Sequence, residues 1–150
     1  MKKLSHLDAK GEASMVDVSA KPTQLRVAVA RGEIHLQRTT LTLITDNLIA
    51  KGNVLATARI AGIQAAKRTG ELIPLCHPLP ISHCEVNFEI PSTLDRIVIT
   101  ASAKITAQTG VEMEALTAVT VAALTIYDMC KAVDKTMRIT EVRLVSKTKK

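Results

Sequence analysis

The hydrophobic positions of this chain alternate with polar ones in four segments. Alternation with a period of two, rich in β-branched residues, predicts strands. The first of these segments is predicted to bend at Arg31-Gly32, where the large apolar side chains change register. A similar slip between Ile139 and Val142 predicts a bulge in the last strand. The four predicted strands cover residues 25–37, 84–90, 97–105 and 137–145.

Two longer segments follow a helical pattern. Asn53 can cap a helix that runs to about Arg68, and Gly70 predicts a left-handed C-terminal cap. This helix is rich in alanine and glycine, which permits close packing against a sheet or another subunit. The second helix, from about Val111 to Val133, is apolar on most faces and is predicted to be largely buried. Residues 40–46 predict a short helix or turn between the first strand and these helices.

The two long helices and four strands follow one another as strand, helix, strand, strand, helix, strand. This order predicts an α+β, ferredoxin-like βαββαβ fold, with an antiparallel sheet and both helices on one face. The length of 150 residues fits one domain, spanning residues 1–150. Residues 1–23 are polar and mixed and predict a loosely ordered N-terminal arm.

The composition indicates a folded protein with an aliphatic core. Apolar residues make up 47% of the chain, whereas Phe88 and Tyr127 are its only aromatic residues. No apolar run approaches the roughly 18 residues of a membrane span, and the start is a poor signal peptide. Three cysteines, an odd number, favour reduced thiols. We therefore expect a soluble, cytoplasmic protein that does not contact membranes.

The net charge of +6 favours anionic partners: nucleic acid, a phosphorylated small molecule or an acidic protein. RNA-recognition domains share the predicted strand order, but they stack bases on aromatic side chains of the sheet. Here Phe88 is predicted on the apolar side of its strand and Tyr127 in a helix. A basic nucleic-acid-binding module is therefore the less favoured alternative.

Metal binding is a further alternative, because four candidate ligands lie within nine residues. They are Cys76, His77, His83 and Cys84. Structural zinc sites commonly use cysteine pairs separated by two to four residues, whereas these ligands are sequence neighbours. His83 and Cys84 are also predicted to face opposite sides of the sheet. Structural cysteines are favoured over a metal site, and no metal is expected.

An enzyme acting on a phosphorylated substrate is the third alternative. The chain has no P-loop or dinucleotide-binding glycine motif. Polar residues do collect at element boundaries, but acids in a first helical turn often complement the helix dipole, and an i, i+3 ion pair is often only a surface pair. The residues at these boundaries are Lys51, His77, Glu112, Glu114, Asp128 and Lys131.

Longer strings of sequence are more specific than these single residues. In order along nearly the whole chain, they resemble the MoaC family, the cyclic pyranopterin monophosphate synthases of molybdenum-cofactor biosynthesis. The matching strings are Met15–Ser19, Lys51-Gly52 with Ala56–Gly62, Leu72–Leu79, Thr109–Thr117 and Tyr127–Ala132.

This resemblance implies a ferredoxin-like fold and a homo-hexamer, a trimer of dimers, with active sites at subunit interfaces. It implies a lyase that converts 3′,8-cyclo-7,8-dihydro-GTP, made by an upstream radical SAM enzyme, into cyclic pyranopterin monophosphate with release of pyrophosphate. No tightly bound cofactor is expected, although a divalent cation can accompany the triphosphate or pyrophosphate. The triphosphate would account for the basic charge without nucleic acid.

The resemblance also assigns roles to residues whose motifs match. Asp128 and Lys131 are expected to be catalytic, with Lys51 as a further acid/base group. Substrate binding is expected of Leu75, Cys76, His77, Glu112, Met113 and Glu114, and positive charge for the triphosphate of Lys21, Arg26, Lys67 and Lys147. His83 and Cys84 match no motif of the family. We further expect nearby cations to lower the pKa of Lys131, as acid/base work by a lysine near neutral pH requires.

Overall fold

Four alternating segments form strands and four segments form helices in the computed structural model, which describes residues 7–150. The strands are β1 Gln24–His35, β2 His83–Glu89, β3 Arg96–Ala107 and β4 Arg138–Lys149. The helices are α1 Arg38–Thr45, α2 Val54–Lys67, α3 Thr69–Leu72 and α4 Glu112–Cys130.

The strands form one sheet in the order β2-β3-β1-β4, and every neighbouring pair is antiparallel. α2 and α4 pack against each other, and both contact the same face of the sheet. This arrangement confirms the predicted α+β, ferredoxin-like fold. The long crossovers through α2 and α4 place the ends of β1, β3 and β4 next to the start of α4, where the candidate site lies.

The core between sheet and helices is aliphatic and tightly packed. β1 and β3 contribute small and branched side chains such as Ala30 and Ile99, both fully buried. A Cβ atom on Gly62 of α2 would lie 2.9 Å from the carbonyl oxygen of Ala118 in α4, so small residues allow these helices to approach closely. α4 is long and apolar enough to cross a membrane, but half of it is buried inside this core.

The change of apolar register that suggested a bend at Arg31-Gly32 in β1 follows from side-chain size. β1 pairs with β3 without interruption along its whole length, so Val27 and Val29 face the open side of the sheet while Ile34 faces the helices. The core-facing positions before Ile34 hold small residues because α4 lies close to them. A Cβ atom on Gly32 would lie only 2.6 Å from Val119 Cγ1. The large apolar residues therefore marked the opposite face in the first half of the strand.

Three predicted details at element ends have different outcomes. The bulge in β4 is confirmed, since its pairing with β1 shifts register near Glu141, whose φ is +55°. The left-handed cap at Gly70 is wrong, because this glycine lies within α3 and does not have a positive φ. Its lack of a side chain instead admits Pro78, whose Cα would be 2.9 Å from a Cβ there. α4 ends at Cys130, before the predicted Val133.

The N-terminal arm has no helix or strand in residues 7–23, apart from an isolated bridge between Leu7 and Ala13. The remainder of the predicted arm, residues 1–6, lies outside the described residues. The arm contacts the body at Val16 and Ser19, which accept hydrogen bonds from His77 and Gln108.

Candidate functional site

Three adjoining cavities surround the start of α4, with volumes of about 220, 390 and 250 Å³. Gly110 and Glu112 line both the first and the second, and Leu79 and Glu114 line both the second and the third. We call this continuous depression the α4 cleft. All ten residues predicted to bind substrate line it: Lys21, Arg26, Lys67, Leu75, Cys76, His77, Glu112, Met113, Glu114 and Lys147.

Arg26 enters the cleft from β1 and is held by backbone carbonyls. Its Nε donates to Ala107 O at 3.1 Å, and its Nη2 donates to Gln108 O at 3.1 Å. The two acceptors belong to the last residue of β3 and to the residue after it, and β3 pairs with β1 beside Arg26. Because these partners are uncharged, the guanidinium keeps its net positive charge at the cleft.

Glu112 and Lys147 connect the first turn of α4 to β4. Lys147 Nζ lies 2.9 Å from Glu112 Oε1. Although burial acts in the opposite direction, the hydrogen bond and charge of Lys147 hold the pKa of Glu112 below its ordinary value. Glu112 is therefore an ionised, paired carboxylate at neutral pH.

Glu114 lies one step deeper and has no ion pair within residues 7–150. Only 3% of the residue is exposed. Burial raises the pKa of its carboxyl group, and the charge of Glu112 raises it further. The same cavity contains Cys76, whose thiol pKa is raised by its own burial and then by the charge of Glu114.

His77 projects from the loop between α3 and β2, where Pro74, Pro78 and Pro80 restrict the backbone. Its Nε2 lies 2.8 Å from the carbonyl oxygen of Val16. A carbonyl oxygen can only accept, so Nε2 carries the proton in this contact. Its Nδ1 makes no hydrogen bond to the described residues, which leaves this nitrogen available to a ligand.

The balance of charge in the α4 cleft is positive. Lys21 and Lys67 form no salt bridge within the described chain, and Arg26 is bound by neutral groups. The charge of Lys147 is compensated by Glu112. These cations without a carboxylate partner around one depression favour an anionic ligand.

The three residues predicted to be catalytic also meet, forming what we call the Asp128 cluster. Asp128 Oδ2 accepts from Lys51 Nζ at 2.8 Å, and Oδ1 lies 2.7 Å from Lys131 Nζ. The hydrogen bonds from Lys131 and Lys51 lower the pKa of Asp128 to about 2. All three side chains are at least half exposed, so the cluster is open to solvent.

The expected lowering of the Lys131 pKa is wrong for this chain taken alone. The hydrogen bond and charge of Asp128 raise the pKa of Lys131 instead. The nearby carboxylate favours the charged form of this amine more strongly than desolvation disfavours it. Lys131 is therefore an ammonium group at neutral pH and a weaker acid than an ordinary lysine.

Local backbone structure places the cluster. Lys51 precedes Gly52, whose φ of +102° is a conformation that side chains oppose, and Asn53 then caps α2 by accepting from Ala56 N at 2.9 Å. After α4, the amide of Lys131 donates to Tyr127 O at 2.9 Å. The amide of Asp134 donates to Cys130 O at 3.0 Å and closes the turn beyond Lys131.

Asp134 is a buried acid that the sequence analysis did not single out. Only 1% of it is exposed, and its carboxylate accepts hydrogen bonds from the backbone of Gln37, the hydroxyl of Thr40, and both the amide and hydroxyl of Thr136. Although burial acts in the opposite direction, these bonds hold the pKa of Asp134 below its ordinary value. The Asp-Lys-Thr string after an apolar helix, a common side-chain-to-backbone turn, was the available signal.

One chain does not bring the Asp128 cluster to the α4 cleft. Glu112 and Asp128 lie at opposite ends of α4, 16 residues apart, which corresponds to about 24 Å along the helix axis. The ten predicted binding residues and the three predicted catalytic residues are thus two separate groups in this chain.

The metal and nucleic-acid alternatives gain no support from the structure. Residues 7–150 contain no group of three or more histidine, cysteine or acidic side chains placed to hold a metal. His83 is exposed, while Cys84 packs against the core and burial raises its pKa to about 11. Phe88 also packs against the core, so the open sheet face offers no aromatic platform for bases.

Comparison with known proteins concerns the chain as a whole and identifies its family. Residues 15–150 match the MoaC family. A cyclic pyranopterin monophosphate synthase of Chloroflexus aurantiacus is 59% identical over 96% of this chain and 88% of its own length. The proteins of that name from Desulfitobacterium hafniense, and numbered 3 from Mycobacterium bovis, are 58% and 60% identical over 97% of this chain and 88% and 81% of their own lengths. This chain belongs to the MoaC family.

Proposed function

We propose that this chain is a cyclic pyranopterin monophosphate synthase of molybdenum-cofactor biosynthesis. It converts 3′,8-cyclo-7,8-dihydro-GTP into cyclic pyranopterin monophosphate and releases pyrophosphate. The observation that carries this proposal is the α4 cleft, where residues from the arm, β1, α2, the proline-rich loop, α4 and β4 surround one depression. Its partnerless cations suit a nucleoside triphosphate derivative.

The triphosphate is placed along the basic side of the cleft. Arg26, Lys147 and Lys21 line its first two cavities, whereas the third is lined by Lys67. The middle cavity combines apolar walls with His77 and Glu114 and suits the flat, hydrogen-bonding bicyclic base. His77 Nδ1 accepts a hydrogen bond from a ring or amino N–H of that base, since the N–H group at Nε2 already donates to the carbonyl oxygen of Val16.

The Asp128 cluster supplies proton transfer. The reaction opens one ring, forms another, and closes a cyclic phosphate while expelling pyrophosphate, and such steps need positioned proton donors and acceptors. Asp128 raises the pKa of Lys131 in the single chain, so this residue enters the site as an ammonium group. It acts as a general acid once the cations of a second copy's cleft lower that pKa. Asp128 remains a carboxylate that orients both Lys131 and Lys51, and Lys51 is the second acid/base group.

A complete site combines two copies of the chain. The Asp128 cluster lies about 24 Å along α4 from Glu112, too far for one substrate molecule to meet both groups in a single chain. Ile60 and Leu124 are apolar helix residues more than half exposed, as expected where a second copy packs. We assign a homo-hexamer, a trimer of dimers, in which the cluster of one copy faces the cleft of another.

Other parts of the assignment follow from the substrate. An upstream radical SAM enzyme supplies the cyclised nucleotide, and no nucleic acid or membrane takes part. No tightly bound cofactor is assigned, and a divalent cation accompanies the triphosphate or the released pyrophosphate. The three free cysteines fit the reducing cytoplasm.

Release of pyrophosphate from enzymatically prepared 3′,8-cyclo-7,8-dihydro-GTP tests the proposal. The wild type is expected to release it, and His77→Ala, which removes the ring in the middle cavity, is expected to be strongly impaired. Arg143→Ala, on the far part of β4, serves as a control and should retain activity. Absence of pyrophosphate release, together with salt-sensitive binding to unrelated single-stranded RNA, would instead support the nucleic-acid module.

A further inference from the structure

Two hydrogen bonds fasten residues 16–21, which we call the arm segment, to the rim of the α4 cleft. The carbonyl oxygen of Val16 accepts from His77 Nε2 at 2.8 Å, and that of Ser19 accepts from Gln108 Nε2 at 3.1 Å. Both donors are side chains, whereas both acceptors are backbone groups. The hydrogen bonds that fix the arm segment to the body therefore use side chains of the body and only backbone groups of the arm segment.

Between and beyond these two points the arm segment is organised locally. The amide of Ser19 donates to Asp17 Oδ1 at 2.9 Å, and the amide of Lys21 donates to Val18 O at 2.9 Å. These turns connect the fastened residues to Lys21, two residues after Ser19. Lys21 lines the middle cavity and has no salt bridge within the described chain.

Gln108 occupies a junction in this arrangement. Its backbone carbonyl accepts from Arg26 Nη2 at 3.1 Å, while its side chain holds Ser19. This one residue, directly after β3, thus contacts the two segments that carry Arg26 and Lys21 to the cleft. The side chain of Gln108 contacts the arm segment, and its backbone contacts Arg26 of β1. A mutation can therefore remove the first contact and keep the second.

We propose that Gln108 is a positioning residue, whose side-chain amide fastens the arm segment so that Lys21 is held at the cleft for a polyphosphate group. The proposal rests on the proposed function for the identity of that polyphosphate. Gln108 itself does not line the cavities and does not touch the reacting atoms. Without this amide, the arm segment keeps only the Val16 hydrogen bond to a body side chain, and Lys21 is held less firmly at the cleft.

Gln108→Ala isolates the arm contact, because the substitution removes the side-chain donor and retains the carbonyl that holds Arg26. Gln64→Ala is the matched control, since Gln64 is exposed on α2 and makes no side-chain hydrogen bond to the described residues. Hydrogen–deuterium exchange of the peptide spanning residues 16–21 should be faster in Gln108→Ala than in the wild type or Gln64→Ala. Equal exchange in the three proteins would overturn the proposal.

Binding of inorganic triphosphate, measured by calorimetry, tests the consequence without the synthase reaction. Gln108→Ala should weaken binding by about two- to tenfold, the range expected for one lost hydrogen bond. In turnover, the same variant should raise KM by a similar factor and leave kcat nearly unchanged, which general destabilisation would not do.

The double variant Lys21→Ala/Gln108→Ala should bind triphosphate no more weakly than Lys21→Ala alone, because Gln108 acts through Lys21. Additive losses, or unchanged binding by Gln108→Ala, would overturn the positioning role. A wild type that binds triphosphate but releases no pyrophosphate would refute the proposed function and leave these binding differences to decide the role of Gln108.

Discussion

Glu112 and Glu114 lie two residues apart in the first turn of α4, and their surroundings shift their carboxyl pKa values in opposite directions. Lys147 overcomes the effect of burial on Glu112 and lowers its pKa, whereas burial raises the pKa of Glu114. The charge of Glu112 is compensated by Lys147, whereas Glu114 is desolvated and has no ion pair within residues 7–150. Groups whose environments separate their pKa values in this way are characteristic of functional sites.

Replacing Glu114 should change the pH dependence of stability. A carboxyl with a raised pKa contributes stability that is present below its ordinary value of 4.5 and is lost as the pH rises through the folded-state pKa. Glu114→Gln removes this loss of stability at high pH. The melting temperature of the variant minus that of wild type should therefore be larger at pH 8 than at pH 4. Thermal unfolding at both pH values measures the difference.

Glu112→Gln provides the opposite case in the same turn of helix. The lowered pKa of Glu112 contributes stability above 4.5 that is lost as the pH falls through the folded-state pKa. This variant should therefore be less stable than wild type at pH 8, with a smaller difference at pH 4. If the stability difference from wild type changed in the same direction between pH 4 and pH 8 in both variants, Glu114 would not be desolvated in solution.

Asp128→Asn and Lys131→Ala should each lower turnover by about two to four orders of magnitude, the range for loss of a general acid or base. Both side chains are more than half exposed, so folding and oligomer size should remain almost unchanged. Pyrophosphate release measured beside a melting curve separates a catalytic effect from unfolding.

The Glu141–Arg143 pair is the matched control for this experiment. Its N–O distance of 2.8 Å and its exposure resemble those of the Asp128–Lys131 pair, but it lies on β4 away from both groups. Arg143→Ala should keep nearly normal turnover. Nearly normal turnover in Asp128→Asn and Lys131→Ala as well would remove the Asp128 cluster from the mechanism.

The sequence could predict the elements and their order because alternation and helical spacing record which face of each element is buried. It did not show which face of β1 is buried in the first half of the strand, since Ala28, Ala30 and Gly32 are small where α4 lies close. Large apolar residues then stand on the open face and imitate a core pattern. The distance between β1 and α4 limits residue size at these positions, and the sequence of one strand does not contain that distance.

The residues of the candidate site came from motif resemblance, and their grouping came from the fold. Lys67 and Lys147 are 80 residues apart in sequence and line the same cleft only because α2 and β4 both end beside α4. Asp134 and Gln108 were missed because their roles depend on partners far along the chain. The separation of Glu112 from Asp128, in contrast, follows from their spacing within one helix.

Asp134→Asn should destabilise the protein by about 1.5–3 kcal/mol, because hydrogen bonds to a buried charged acceptor are lost. Its lowered pKa means that the stabilisation is present above the ordinary value of 3.8 and is lost as the pH falls through the folded-state pKa. Turnover should also fall, since Asp134 fixes the turn after Lys131. Urea unfolding at pH 7 measures the stability change.

Asp95→Asn is a suitable comparison for Asp134→Asn. Asp95 also accepts hydrogen bonds from a threonine and an arginine, but it lies in an exposed turn. Its replacement should have a much smaller effect on stability and none on turnover. Equal effects of the two substitutions would mean that the buried network around Asp134 does not support the end of α4.

Hybrid oligomers test whether the cleft of one copy works with the Asp128 cluster of another. His77→Ala removes a cleft residue and Lys131→Ala removes a cluster residue, so each variant alone should be nearly inactive. After mixing, unfolding and joint refolding, a two-fold interface in a mixed dimer places both defects in one site and leaves the other intact. With random pairing, about a quarter of wild-type activity should return.

The recovered activity should depend on assembly, because it requires groups that α4 holds about 24 Å apart in each chain. Mixing the two folded variants without subunit exchange should restore nothing. Two copies of the same variant, refolded together, should also remain inactive. No recovery after verified hybrid formation would mean that the Asp128 cluster and the α4 cleft do not meet across an interface. The half-exposed lysine–aspartate cluster would then need a substrate site of its own.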